Sequence, residues 1–244
     1  MTNATEALAG FLRHEGRAGV LLDFDGTLSP IVVRPELAQI RTGAPAALAR
    51  LVDRYPLVAV ISGRTTEELR TLVTVRGVRL VGSYGLAEHA LAPDVLHAVG
   101  EAVAGVPGAR MEAKGASVAV HVRGADDPDA AEASLRAALT AIGQVHGLEV
   151  IDGKRVLELV PEGRPLKGGV VETLVGQEHL GAVLYAGDDL ADLRAFDTLD
   201  RLASSGIVTV KVAVRGVETP ALLTEAADVV VDGPAELVLL LNRL

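Results

Sequence analysis

Two carboxylates two positions apart open the chemistry of this chain. Asp23 and Asp25 stand in Leu21-Leu-Asp-Phe-Asp-Gly-Thr-Leu28, at the end of an apolar run and before a glycine and a threonine. Gly26 permits an abrupt turn, so both side chains can reach one pocket beyond the C-terminal edge of a strand, where open parallel sheets place their ligands. One carboxylate can attack phosphorus and bind a hard cation while the other handles the leaving-group proton. The plain alternative is a strand followed by an ordinary Asp-Gly turn, but the apolar run and the full Asp-x-Asp-Gly-Thr pattern favour function.

Three further segments carry suitable groups. Val60-Ile-Ser-Gly-Arg64 runs an apolar stretch into Ser62, which could donate to a phosphate oxygen or simply cap the next helix. Lys167, in Arg164-Pro-Leu-Lys-Gly-Gly169, could neutralise a phosphate; taken alone it reads as an exposed lysine on a first helical turn, where the macrodipole slightly disfavours it. Tyr185-Ala-Gly-Asp-Asp-Leu-Ala-Asp192 crowds Asp188, Asp189 and Asp192 after a second apolar run. A helix start accounts for one of these acids; three of them repel unless a cation is present. Oxygen ligands beside a phosphate point to Mg²⁺.

The elements that must position these groups alternate. Short aliphatic runs at Val20–Asp23, Leu57–Ile61, Val78–Val81, Ala182–Ala186, Ile207–Val214 and Asp228–Val231 read as strands. Helical stretches are expected at Ala44–Arg54, from Thr65 to about Val73, and around 167–176, 189–199 and 234–243. Strands alternating with helices imply βαβ units and an α/β fold with a mainly parallel sheet. The middle differs: Ser117–Arg123 alternates like a strand, Asp127–Ile142 is an Ala-rich helix, and Leu148–Ile151 and Arg155–Val160 read as strands joined by an Asp152-Gly153 turn. This block is expected to form an inserted α+β domain over 105–163, with 1–104 and 164–244 making the core and Pro/Gly clusters at both junctions.

Bulk properties narrow the class. The 244 residues suffice for a core domain with an insertion, and hydrophobic residues make up 49%. With 2% aromatics, that core must be built from Ala, Val and Leu. A net charge of −9 argues against a general nucleic-acid or anionic-membrane binder, so an anionic substrate would need local attraction from a cation and placed Lys or Arg. The absence of cysteine excludes disulfides and thiolate metal sites. No apolar run reaches membrane-span length and no signal peptide is evident, so a cytoplasmic monomer or weak oligomer is expected.

The order Asp-x-Asp, Ser, Lys, acidic cluster resembles the haloacid dehalogenase superfamily of phosphatases over nearly the whole chain. The resemblance implies a Rossmann-like core with an inserted cap. It further implies Asp23 as nucleophile, Asp25 as general acid and then base, and Ser62 and Lys167 on phosphoryl oxygens. Mg²⁺ would be held by the Asp23 carboxylate, the Asp25 carbonyl and Asp188, with Asp189 or Asp192 in support. Several segments are similar to the trehalose-6-phosphate phosphatase family, which has a type C2B cap. They are Asp23-Phe-Asp-Gly-Thr-Leu-Ser-Pro-Ile31, Gly82-Ser-Tyr-Gly-Leu-Ala-Glu88, Glu112-Ala-Lys-Gly-Ala-Ser-Val-Ala-Val-His-Val-Arg123 and Gly153-Lys-Arg-Val-Leu-Glu158. On that resemblance Gly63, Arg64, Glu88, Glu112, Lys114, Arg123, Lys154 and Glu158 are the candidate substrate-binding residues. Tyr84 departs from the family pattern, which usually has His there, and Asp-Asp-Leu-Ala-Asp-Leu departs from Asp-Asp-x-Thr-Asp-Glu. The implied activity is hydrolysis of trehalose 6-phosphate through an aspartyl phosphate. The alternatives are a phosphatase or mutase for another sugar phosphate, or a non-catalytic sugar-phosphate sensor.

Overall fold

A computed structural model describes residues 4–85, 91–162 and 167–244. In chain order the elements are α1 (Ala4–Leu12), β1 (Ala18–Leu22), α2 (Ala44–Arg54), β2 (Leu57–Ile61), α3 (Thr66–Leu72) and β3 (Arg79–Val81). They continue with α4 (Pro93–Ala104), β4 (Arg110–Ala113), β5 (Val118–His121), α5 (Pro128–His146), β6 (Leu148–Gly153) and β7 (Val156–Pro161). The last are α6 (Lys167–Gln177), β8 (Ala182–Gly187), α7 (Leu190–Ser204), β9 (Val208–Arg215), α8 (Ala221–Ala226), β10 (Val229–Asp232) and α9 (Gly233–Leu241). Among the described residues no helix is long and apolar enough to cross a membrane.

The chain divides into two compact units. The first, Met1–Gly85 with Pro165–Leu244, carries a six-stranded sheet of order β10-β9-β8-β1-β2-β3, all of whose pairings are parallel. Parallel sheets bury both faces, which is why β1, β2 and β8 are continuous apolar runs. The period of two then sorts their side chains. Val20, Leu22, Val58, Val60, Leu184 and Ala186 join Phe11, Leu48 and Leu237 on one face. Leu21, Ala59, Ile61, Val183 and Tyr185 join Val171, Leu174, Phe196 and Leu199 on the other. The chain leaves β1 toward β2 and β3 on one side, and later fills β8, β9 and β10 on the other. The reversal lies between β1 and β8, where open α/β sheets bind ligands beyond their strand ends. Asp23 follows β1 and Asp188 follows β8 at that reversal.

The second unit, Leu86–Arg164, has a four-stranded antiparallel sheet of order β4-β5-β7-β6. Val118, Val120, Leu157 and Leu159 face Leu135 and Leu139 of α5 and Val95, Val99 and Val103 of α4. Asp127 caps α5 by accepting from the N–H groups of Asp129 and Ala130 at 3.1 and 3.0 Å, and Gly147 ends it in the left-handed region.

Two sequence expectations are corrected here. The division falls at Gly85/Leu86, not at 105, because α4 spends its Val95-Val99-Val103 stripe on the second unit's core. The turn between β6 and β7 is Lys154-Arg155, not Asp152-Gly153: Asp152 and Gly153 remain paired with Leu157 and Val156, and Arg155 takes the positive φ of 60°.

Candidate active site

The end of β1 sets the centre. Asp23 donates its backbone N–H to Ala186 O of β8 at 2.9 Å, so its side chain starts from a fixed strand end. The next residues turn sharply, with Gly26 N–H donating to Ser29 O at 2.7 Å. Gly26 has φ +88°, and a Cβ there would lie 2.0 Å from Asp188 Oδ2. The turn thus needs glycine twice, for its backbone and for the room Asp188 occupies.

Lys167, the first residue of α6, is buried at 3% exposure, which removes the plain reading of a solvated lysine. Its Nζ donates to Asp23 Oδ1 at 2.7 Å and to Asp192 Oδ1 at 2.6 Å. Asp192 accepts four hydrogen bonds: Lys167 Nζ and Tyr185 Oη on Oδ1, and the backbone N–H groups of Asp188 and Asp189 on Oδ2, both at 2.9 Å. Asp189 is the N-cap of α7, its Oδ1 accepting from Ala191 N–H at 2.9 Å and Asp192 N–H at 3.3 Å. Asp188 is buried and accepts from Thr27 Oγ1 at 3.4 Å.

Ser62 follows β2, buried at 1% exposure. It does not cap α3; Thr65 does, in a reciprocal box with Glu68. Ser62 Oγ instead accepts from Arg64 N–H at 3.2 Å. The Arg64 side chain reaches back to Asp25, Nε to Oδ2 and Nη2 to Oδ1, each at 2.7 Å, and Nη2 also donates to Pro35 O at 3.1 Å.

The electrostatics are those of too many acids for one ammonium. Burial pushes Asp23 well above the usual carboxylate range, against the pull of Lys167 and with help from Asp192, Asp188 and Asp189. Burial likewise raises Asp189 to about 7. Burial acts upward on Asp192 too, but the Lys167 charge and the bonds it accepts hold it below the usual value. Lys167 is raised, because Asp192 and Asp23 outweigh the burial that would lower it. Tyr185 is raised by burial and by the neighbouring Asp192 charge. Carboxylate oxygens of Asp23, Asp188 and Asp192 all lie within 4.8 Å of one another. An all-oxygen, electron-rich cluster of this kind fits a hard divalent cation, which would relieve the repulsion that keeps acids protonated.

The structure gathers Asp23, Lys167, Asp188, Asp189 and Asp192 into this cluster and pairs Asp25 with Arg64. The candidates of the second unit are spread along its sheet. Glu112 on β4 and Glu158 on β7 both flank Ala119 of β5, so they share the face turned away from the helices. Glu112 Oε2 pairs with His121 Nε2 at 2.6 Å, and Glu158 Oε1 accepts from Ser117 Oγ at 2.5 Å. Lys114 sits in the β4–β5 connection, its N–H bonded to Ser117 O at 2.8 Å. Arg123 lies at the opposite end, donating to Lys154 O at 3.3 Å. Glu88 lies outside the described residues. Sequence reasoning missed Tyr185 and Thr27 as partners of the acidic cluster. A tyrosine inside an apolar strand reads as core, though a buried hydroxyl needs a partner.

The six-stranded parallel core with its separate antiparallel unit has the fold of haloacid dehalogenase-like hydrolases. It superposes on the C-terminal domain of Candida albicans trehalose-6-phosphate phosphatase with a TM-score of 0.81 and 21% identity, over 99% of this chain and 96% of that one. A haloacid dehalogenase-like hydrolase from Bacteroides thetaiotaomicron gives 0.67 at 15% identity, over 93% and 99%. The family model for Trehalose-phosphatase matches residues 21–228, and the chain belongs to that family. A trehalose-phosphate phosphatase of Mycolicibacterium paratuberculosis is 36% identical over 222 residues, 82% of this chain and 54% of its own length. An uncharacterized glycosyl hydrolase of Mycobacterium tuberculosis is 38% identical over 79% of this chain and 16% of its own. The chain therefore spans about half the length of the curated trehalose-phosphate phosphatases it matches, and a smaller part of the hydrolase.

Proposed function

We propose that this chain hydrolyses trehalose 6-phosphate to trehalose and inorganic phosphate, with Asp23 as the nucleophile and Mg²⁺ as the cofactor. The observation that carries the reading is the buried Lys167 ammonium held between Asp23 and Asp192 at the switch point of the sheet. Family membership and the activity named for its relatives support the substrate.

In the first step an Asp23 carboxylate oxygen attacks phosphorus. The bond from phosphorus to the sugar oxygen breaks, and that oxygen takes a proton from Asp25. In the second step Asp25 removes a proton from water, whose oxygen attacks the aspartyl phosphate; the bond to Asp23 breaks and phosphate leaves. Lys167 and Ser62 hold phosphoryl oxygens, positioning and neutralising charge, which contribute most of the rate in phosphoryl transfer. The Asp23 and Asp188 carboxylates and the Asp25 carbonyl would hold Mg²⁺, with Asp189 in support; the ion supplies charge neutralisation at the phosphoryl oxygens. Asp192, already accepting four hydrogen bonds, positions Lys167 and the loop amides. The fork of Arg64 takes one lone pair of each Asp25 oxygen and fixes the carboxyl's orientation, leaving a second lone pair for the proton. On the second unit, Glu112 and Glu158 present acceptors suited to sugar hydroxyls, with Lys114, Arg123 and Lys154 as donors.

The test is phosphate release with Mg²⁺ or with EDTA from trehalose 6-phosphate, sucrose 6-phosphate and glucose 6-phosphate, alongside Asp23→Asn. Mg²⁺-dependent release that favours trehalose 6-phosphate and vanishes in Asp23→Asn is expected. Equal release from all three would overturn the substrate, and an active Asp23→Asn the nucleophile.

A further inference from the structure

Tyr84 is held in a backbone conformation that carries a cost. Ser83 and Tyr84 both have left-handed backbones, φ 48° and 51°, in a tight segment between β3 and the second unit's first residue. Two consecutive non-glycine residues in that region persist only when their surroundings hold them there. The surroundings here are the Ser62-Gly63-Arg64 loop: Ser83 N–H donates to Arg64 O at 2.7 Å and Tyr84 N–H to Ser62 O at 3.1 Å.

The strain places the phenol against two site residues. The Tyr84 ring lies 5.7 Å from Lys167 Nζ, within the range in which an aromatic face attracts a cation. Its hydroxyl fills the space beside Gly63, where a Cβ would lie 2.7 Å from Tyr84 Oη. Ring and glycine are therefore fitted to each other.

We propose that Tyr84 is a positioning residue for Lys167: the ammonium lies over its ring, and the absent side chain at Gly63 makes room for that ring. The inference rests on the proposed role of Lys167 in phosphoryl transfer. Lys167 is tied to Asp23 and Asp192 by hydrogen bonds, and the ring restricts where else its head can go. Loss of the ring loosens the ammonium that must meet the phosphoryl group, so the cost falls on turnover more than on substrate capture.

The experiment compares wild type, Tyr84→Leu, Tyr84→Phe and Gly63→Ala with trehalose 6-phosphate and p-nitrophenyl phosphate in Mg²⁺. Tyr84→Leu is expected to lower kcat about tenfold on both compounds with KM moved less than about twofold, and Tyr84→Phe to recover most of the loss. Gly63→Ala should lose a similar factor by displacing the ring, and should add little to Tyr84→Leu in the double variant. Lysine labelled at ¹³Cε gives a readout independent of turnover. The Lys167 ε-methylene protons should be shifted upfield by the ring in wild type and Tyr84→Phe but not in Tyr84→Leu. Unchanged kcat in Tyr84→Leu, full additivity with Gly63→Ala, or a Lys167 resonance alike in all variants overturns the proposal. If wild type releases no phosphate, the functional reading falls, and the Lys167 resonance alone upholds or overturns the contact.

Discussion

Arg64 grips both carboxylate oxygens of Asp25, with Nε and Nη2 each at 2.7 Å, and thereby joins the first and second motifs across 39 positions of chain. The guanidinium is almost buried, lies over the Phe24 ring at 5.5 Å, and is held by Pro35 O, whereas the Asp25 side chain is 36% exposed. The fixed partner is thus the arginine, and the carboxylate is the one able to move. A planar two-pronged contact of this sort is not reproduced by lysine.

Arg64→Lys keeps the charge and loses the fork. Turnover of trehalose 6-phosphate is expected to fall about 10- to 100-fold, as for a misplaced catalytic group. Turnover of p-nitrophenyl phosphate, whose leaving group needs no proton, should fall less. Equal losses on the two compounds would show that Arg64 serves phosphate binding and not the placement of Asp25.

Gly26→Ala tests the turn itself. A side chain there meets a backbone at φ +88° and lands on Asp188 Oδ2, so Asp188 must move. The expected cost is about 1–3 kcal/mol of stability from the strained backbone. Phosphate release and the Mg²⁺ dependence of melting should both drop sharply. A variant that keeps the wild-type Mg²⁺ response would show that Asp188 is not part of the cation site.

How far these contacts could be read from sequence depends on their range. Asp23 and Asp188 stand out because each ends an apolar run, a pattern local to a few residues, whereas Lys167 reads locally as a solvated first-turn lysine and gains a role only from the order of the motifs. The second unit's start is not legible locally, because Val95, Val99 and Val103 form an apolar stripe that suits either core equally. At the β6–β7 turn Asp-Gly is the stronger local signal, but the pairing of Gly153 with Val156 overrides it and puts Arg155 in the left-handed region. The Arg64–Asp25 fork and the Tyr185–Asp192 bond join residues whose roles depend on which side chains the fold brings together, so no local pattern announces them.

The acidic cluster sets a pH dependence in the metal-free protein. Burial holds Asp189 at about 7 and Asp23 well above its usual value, so the folded state binds more protons than the unfolded state above pH of about 4. Stability then falls as pH rises above about 4, the share carried by Asp189 being lost between about 4 and 7. Asp192, lowered, acts in the opposite sense only below that window. In EDTA the melting temperature should therefore decline from pH 5 to pH 7.5, and saturating Mg²⁺ should flatten the decline. A metal-free protein whose melting temperature rises across this range would contradict the upward shift of Asp23 and Asp189 by burial.

Tyr185→Phe isolates the support beneath Lys167. The ring is fully buried and packs edge-on against Phe196 at 6.3 Å, so the substitution leaves the packing in place and removes only the hydroxyl. Tyr185 Oη donates to Asp192 Oδ1 at 2.7 Å, the oxygen that also takes Lys167. A hydrogen bond to a charged, buried acceptor is worth about 1.5–3 kcal/mol, and its loss should lower the melting temperature by roughly 4–8 °C. Asp192 keeps the Lys167 ammonium and two backbone N–H groups, so Lys167 remains in place and turnover should fall less than about tenfold. The measurement is a melting curve beside a phosphate-release assay. An unchanged melting temperature with abolished turnover would mean that the hydroxyl acts in the chemistry and not as support.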